Sequence, residues 1–256
     1  MGCSNSKPVS FLIPPDRMRE SRVCPRRLAV TSKNTITKFN AMLSDLDRPD
    51  DPVYAVSWAS GMYGGLTLHS GPTEKYQASA TARTASSVGG NYIVTLPRMW
   101  PVRQQSEDIM RLGPSMAYEM WWFAMRVGTH PSVRVELFEW RCSSGAEVKG
   151  VEGGSGSGWK LVRVGGVAGH GGGNVEENDN GINDSSRADG LTSDIKEVVA
   201  VWADAGLSLS QIGALEFRGA GATDEFGLLL NITVIVTGIC LWQLRQMHNA
   251  AAVASM

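Results

Sequence analysis

The residues best placed for chemistry open the chain. In "MGCSNSK", Gly2 becomes an α-amine once the initiator methionine is removed, and Ser6 supplies the hydroxyl residue of the pattern M-G-x-x-x-[ST]. The chemistry this predicts is acyl transfer onto the protein itself: an amide-linked myristoyl group on Gly2 and a thioester-linked palmitoyl group on Cys3. One myristoyl chain holds a bilayer only marginally, at roughly 10⁴ M⁻¹, so stable anchoring needs a second signal. Cys3 offers one.

A basic segment offers another. Up to Lys33 the chain carries Lys7, Arg17, Arg19, Arg22, Arg26 and Arg27 against only Asp16 and Glu20, and no acid precedes Asp16. Basic groups close to an anionic leaflet contribute about 1 kcal/mol each. These positions are the expected membrane-surface residues, and membrane lipids are the expected partner.

Other chemistry is poorly represented. His69, His130, His170 and His248 are scattered with no metal-ligand spacing between them, and are expected to be solvated or turn residues. His69 adjoins Ser70, but adjacent strand residues point to opposite faces, and no G-x-S-x-G elbow occurs, so the pair reads as a hairpin end closed by Gly71 and Pro72. Cys3, Cys24, Cys142 and Cys240 form no C-x-x-C pair, which argues against a zinc knuckle or a disulfide scaffold. The Gly-rich stretches lack the Lys-Ser/Thr of a P-loop and the G-x-G-x-x-G of a dinucleotide site. No cofactor, metal or catalytic constellation is expected. A formal net charge of −1, from 24 basic and 25 acidic residues, gives no field for nucleic acid.

The elements that must carry these residues begin, on this reading, at Pro52. Residues 1–51 are rich in Pro, Ser, Arg and Asp and are expected to be a flexible basic arm, with one short helix around Thr35 to Leu46. From Pro52 the texture changes to short β-branched and aromatic runs between Gly, Pro and Asn: "VYAVSW", "GLTLHSG", "YQASATA", "NYIVTLP", "YEMWWFAMRV", "SVRVELFEWR", "GWKLVRV", "EVVAVWAD" and "ALEF". The run Val133 to Leu137 alternates at period two, as a strand with one buried and one wet face does. Trp121, Trp122 and Phe123 are expected to serve the core and rim of that sheet. Disordered insertions are expected near 143–157 and 165–194, and a tail over 248–256.

Near the end, "DEFGLLLNITVIVTGICLWQLRQ" holds no charge from Phe226 to Leu244 and includes eleven Leu, Ile, Val and Phe residues. It is long enough to cross a bilayer. It is also what the centre of a β-structure would need, since a helix apolar on every side is a buried helix. Asp224 and Glu225 before it and Arg245 near its end suit the helix dipole in either setting.

The order of "TLHSGP", "VELFEWR", "GWKLVRV", "EVVAVWAD", "GALEF" and the final helix resembles the small fungal-type members of the tubby C-terminal-like, LURP-one-related family, over roughly Pro52 to Gln246. The resemblance implies a mainly β fold: a closed antiparallel β-barrel of about a dozen strands around one hydrophobic C-terminal α-helix, with residues 52–247 as the domain. Relatives in the wider superfamily bind phosphoinositides or are membrane-associated scramblases, and the fold carries over better than the function.

The expected protein is thus non-enzymatic and lipid-anchored on the cytoplasmic face of the plasma membrane or endomembranes, with its barrel as a lipid-binding or protein-interaction module. The alternative is a membrane-integral protein, tail-anchored or scramblase-like, that uses 226–244 as a transmembrane helix.

Overall fold

The structure is a computed structural model; it describes residues 24–33, 39–62, 64–85, 91–96, 120–128, 133–166, 192, 194–206, 210–223 and 225–254. Among the described residues eleven strands are formed: β1 (Arg27–Ser32), β2 (Asn40–Asp45), β3 (Arg48–Met62), β4 (Leu66–His69), β5 (Ala78–Thr84), β6 (Tyr92–Thr95), β7 (Met120–Val127), β8 (Arg134–Ser143), β9 (Gly154–Gly166), β10 (Val198–Ala205) and β11 (Gln211–Phe217). Helix α1 is a single turn, Ala146–Lys149, and α2 runs from Leu228 to Ala254.

All pairings are antiparallel, in the order β6-β5-β4-β3-β2-β1-β11-β10-β9-β8-β7. The chain therefore makes two meanders, β1 to β6 and β7 to β11, stitched at their middle by β1 on β11, with Leu28 opposite Leu215 and Ala29 opposite Ala214. The edge strands β6 and β7 are not hydrogen-bonded to each other. The fold is thus a mainly β, eleven-stranded antiparallel sheet with a C-terminal helix, and its strand pairing does not close a ring.

The sheet curls about α2. From Ile232 to Gln243 every residue of the helix is buried, more than three turns without a wet face, so protein surrounds it on all sides. The surrounding groups come from strands far apart in the sheet order. Trp242 stacks on Phe39 and meets Trp58 edge-on. The Trp140 indole donates to Thr237 Oγ1 at 3.0 Å, and that hydroxyl donates to the Thr233 carbonyl at 2.8 Å. Gln243 Nε2 donates to the Gly64 carbonyl at 3.0 Å. Trp202, fully buried, fits between Gly213 and Gly238, where an added Cβ would sit 2.5 Å and 3.0 Å from its ring. The helix needs a glycine there because the indole occupies the space of a side chain.

Several sequence expectations are corrected. The segment read as an arm to Asp51 contributes β1, β2 and the start of β3, and the expected helix at Thr35 to Leu46 gives way to β2 over Asn40–Asp45. Leu28, Val30, Ala41 and Leu43 are fully buried there, so tertiary burial overrides the helical leaning of Ala-Met-Leu. The insertion near 143–157 is ordered. Val148 and Val151 of the α1 segment cover Val198, Val201, Ala203 and Ala214 on the outer face of the sheet, and Lys160 pairs with Glu147 at 3.0 Å. The tail at 248–256 continues α2 to Ala254, whereas Glu225 precedes the helix and Arg245 lies well inside it. The insertion near 165–194 falls mostly outside the described residues.

Candidate functional site

The expected lipidation sites Gly2 and Cys3 and, of the expected membrane-surface residues, Lys7, Arg17, Arg19 and Arg22 lie outside the described residues. Arg26 and Arg27 are tied into the fold rather than free on an arm. Arg26 Nε donates to the Phe217 carbonyl at 3.3 Å, and Arg27 opens β1 paired with Asp47 and, at 3.4 Å, with Glu152. Strand formation at residue 27 fixes both guanidinium groups against neighbouring elements.

A charged cluster marks the entry of α2. Glu136, with its side chain 1% exposed, accepts from Arg163 Nη2 at 2.6 Å and is also paired with Arg134. Arg134 reaches Glu225 at 2.7 Å, and Arg163 reaches Glu197 at 3.3 Å. Both guanidiniums stand over the Phe226 ring, 5.9 and 5.0 Å from its centroid, and Phe226 meets Phe138 edge-on. Burial pushes the Glu136 carboxyl up, but the hydrogen bonds and charges of Arg163 and Arg134 outweigh it and hold the group below the ordinary carboxylate range. Three carboxylates thus saturate two guanidiniums. The cluster is built as a clamp on the chain entering the helix, with no cationic surplus for an anion.

A second tie lies towards the other end. Arg245 pairs with Asp204, stands 5.2 Å over the Trp159 ring and donates to the exposed Cys142 Sγ at 3.6 Å. Asp204 also accepts from the Trp202 indole at 3.1 Å. Its pKa is raised, because burial outweighs the opposing pull of Arg245 and Trp202.

On β8 the alternation runs opposite to the simple reading. Val133 and Val135 are 49% and 39% exposed while Glu136 faces inward, so the valines belong to the outer surface. Trp122, 44% exposed, joins them from β7, whereas Trp121 and Phe123 point to the core. On this exterior apolar and charged groups interleave, with Trp122 opposite Glu139 and Val135 opposite Arg126, and among the described residues β7 is an edge strand.

On the opposite part of the sheet, the histidine expected to be a solvated or turn residue is neither. His69 is 8% exposed; its Nδ1 lies 3.0 Å from the Tyr76 carbonyl and its Nε2 2.9 Å from Ser57 Oγ. A carbonyl only accepts, so Nδ1 carries the proton, and in the neutral ring Nε2 receives the Ser57 hydroxyl. Ser57 sits on β3, two positions along from Ala55, which is directly opposite His69. Sequence reasoning tested only Ser70, the chain neighbour. The usable signal was the pairing of "AVSW" with "LTLH", which sets a serine diagonal to a histidine on one face. Among the described residues, no group of His, Cys, Asp or Glu could hold a metal ion.

Compared with known proteins, the chain matches no family model, no curated protein and no solved structure.

Proposed function

We propose that this protein is a peripheral membrane module: a sheet closed about α2 in the manner of a tubby-like barrel, held on the cytoplasmic leaflet by acyl groups on Gly2 and Cys3. The observation that carries the reading is "MGCSNSK", in which the myristoylation pattern and a neighbouring cysteine coincide. Lys7, Arg17, Arg19 and Arg22 add attraction to anionic lipid, including phosphoinositide headgroups. Burial of Ile232–Gln243 within protein supports the same reading, because a helix with protein on every side has no surface left for lipid. The module offers its exterior to lipids or proteins, and Trp122, Val133 and Val135 are among the large apolar side chains exposed on it.

The alternative keeps one observation in its favour. Leu228–Val253 is long and apolar enough to cross a bilayer, with a mean hydropathy of 1.6 over its best window. A tail-anchored or scramblase-like protein would have to draw α2 out of the sheet, leaving a void lined by Trp140, Trp202 and Phe138 that no folded domain keeps empty.

Two measurements on the wild type and Gly2→Ala expressed in a eukaryotic cell test the proposal: the intact mass of the N-terminal peptide and the partition between membrane and cytosol. A myristoylated wild type on membranes with a cytosolic Gly2→Ala supports it. An unmodified N-terminus, or a variant that stays on membranes, overturns it.

A further inference from the structure

We propose that Ser57 and His69 form an acyl-transfer site on the outer face of β3 and β4, acting on carboxylic esters or thioesters. The assignment goes beyond membrane attachment and does not depend on it. Three relationships carry it. The Ser57 hydroxyl lies 2.9 Å from His69 Nε2, within the reach a general base needs. The Tyr76 carbonyl, 3.0 Å from Nδ1, fixes the tautomer that leaves Nε2 free to take a proton, the orienting role that a third group plays in a nucleophile–base pair. The third is the register: Asn40 on β2 and Thr67 on β4 are the two cross-strand partners of Ser57 and share its outward face, about 5 Å away on either side.

Neither the Asn40 side chain nor the Thr67 hydroxyl makes a hydrogen bond with another described residue, and both are half-buried. An amide N–H and a hydroxyl that flank the attacking oxygen are the donor types that stabilise a developing oxyanion. The inward neighbours Val56 and Trp58 lock the strand beneath them, so the four outer groups are held on a rigid element. His69 is 8% exposed, while Ser57 remains half-exposed.

The step balances with water as the only co-reactant. Ser57 Oγ bonds to the ester carbon as its proton passes to His69 Nε2, and the carbonyl oxygen takes the negative charge beside Asn40 and Thr67. Collapse breaks the bond to the leaving oxygen or sulfur, which receives the proton from His69. Water, activated by the same nitrogen, then cleaves the acyl-serine to acid and free enzyme.

The test treats the full-length protein with a fluorophosphonate probe, which loses fluoride to a serine nucleophile, and maps the adduct by peptide mass. The expected result is one rapid adduct, on Ser57. It is absent from Ser57→Ala, slowed at least about 100-fold in His69→Gln, and slowed about 10-fold or more in Asn40→Ala. In the same variants, p-nitrophenyl butyrate should be hydrolysed with the same ranking. Asn40→Ala keeps the test decisive if His69→Gln unfolds, because Asn40 has no side-chain hydrogen bond to lose. Modification of Ser57 no faster than that of the exposed Ser70 on the same folded protein would overturn the assignment and leave the pair as a tie for the 70–77 turn.

Discussion

Arg163 Nη2 donates to Glu136 at 2.6 Å, from the strand next to β8, into a position where the carboxylate is 1% exposed. A buried charge of this kind is tolerated because Arg134 and Arg163 both meet it, and losing one partner costs more than the pair contributes. Arg163→Ala should therefore lower stability by about 3 kcal/mol, the lower end for breaking a buried pair because Arg134 remains, read from the denaturant midpoint at constant m-value. Glu136→Gln should cost less, since the amide still accepts.

The same pair gives a pH dependence. Because the folded-state carboxyl of Glu136 titrates below its unfolded value, its contribution is present above the unfolded pKa of about 4.3 and is lost as pH falls through the folded value. Asp204 acts with the opposite sign, its raised folded pKa favouring the fold in acid and losing that contribution as pH rises through the folded value. Removing Asp204 with Asp204→Asn should therefore steepen the loss of stability below pH 5, seen in urea melts across pH 3 to 6.

Truncation tests where the folded unit begins. Deleting residues 1–23 should leave a cooperative thermal transition, because β1 begins at Arg27. Deleting 1–51 removes Leu28, Val30, Ala41 and Leu43, all fully buried, and strips β11 of one of its two strand partners. At about 2–5 kcal/mol for each large side chain, the loss exceeds a typical total stability of 5–15 kcal/mol. That deletion should give no near-UV circular dichroism signal.

How much of this was legible depends on the segment. "EVVAVWAD" and "GWKLVRV" read as strands because β-branched and aromatic runs between glycines have few other outcomes. β1 and β2 did not, since "RLAVTS" and "NAMLSD" are six residues each among prolines and charges, and only pairing with β11 and β3 makes them core. The period-two pattern of β8 was visible but its phase was not. Alternation is symmetric, and the inward Glu136 is stabilised by Arg163 from another strand, which no local window contains. The Ser57 and His69 contact likewise needed the register of β3 on β4. The apolar helix was legible as a helix, but its surroundings depend on strands far away in the chain.

At Gly238 two effects of similar size compete. Alanine gains about 1 kcal/mol of helix propensity, yet its Cβ would lie 3.0 Å from the Trp202 ring, which is fully buried and held by its bond to Asp204. Overpacking costs about 1–3 kcal/mol, so Gly238→Ala should be net destabilising by about 1 kcal/mol in a thermal melt. A stabilised variant would mean that the indole can move.

The cysteines should react in a fixed order. Burial pushes the Cys24 thiol up to about 12 and raises Cys240 further, while Cys142 is exposed beside Arg245. In a Cys3→Ser background, iodoacetamide at pH 8 should label Cys142 within minutes, and Cys24 and Cys240 only after unfolding. Mass mapping of the alkylated peptides checks this.

The central claim is that α2 is the core of the folded domain and that acyl chains are the membrane attachment. Alkaline carbonate extraction of membranes from cells expressing Gly2→Ala tests it most directly. The account predicts that Gly2→Ala is recovered in the soluble fraction, folded, while the wild type remains with the pellet. A Gly2→Ala protein that resists extraction would place Phe226 to Leu244 across the bilayer and contradict the account of the fold and of the anchor together.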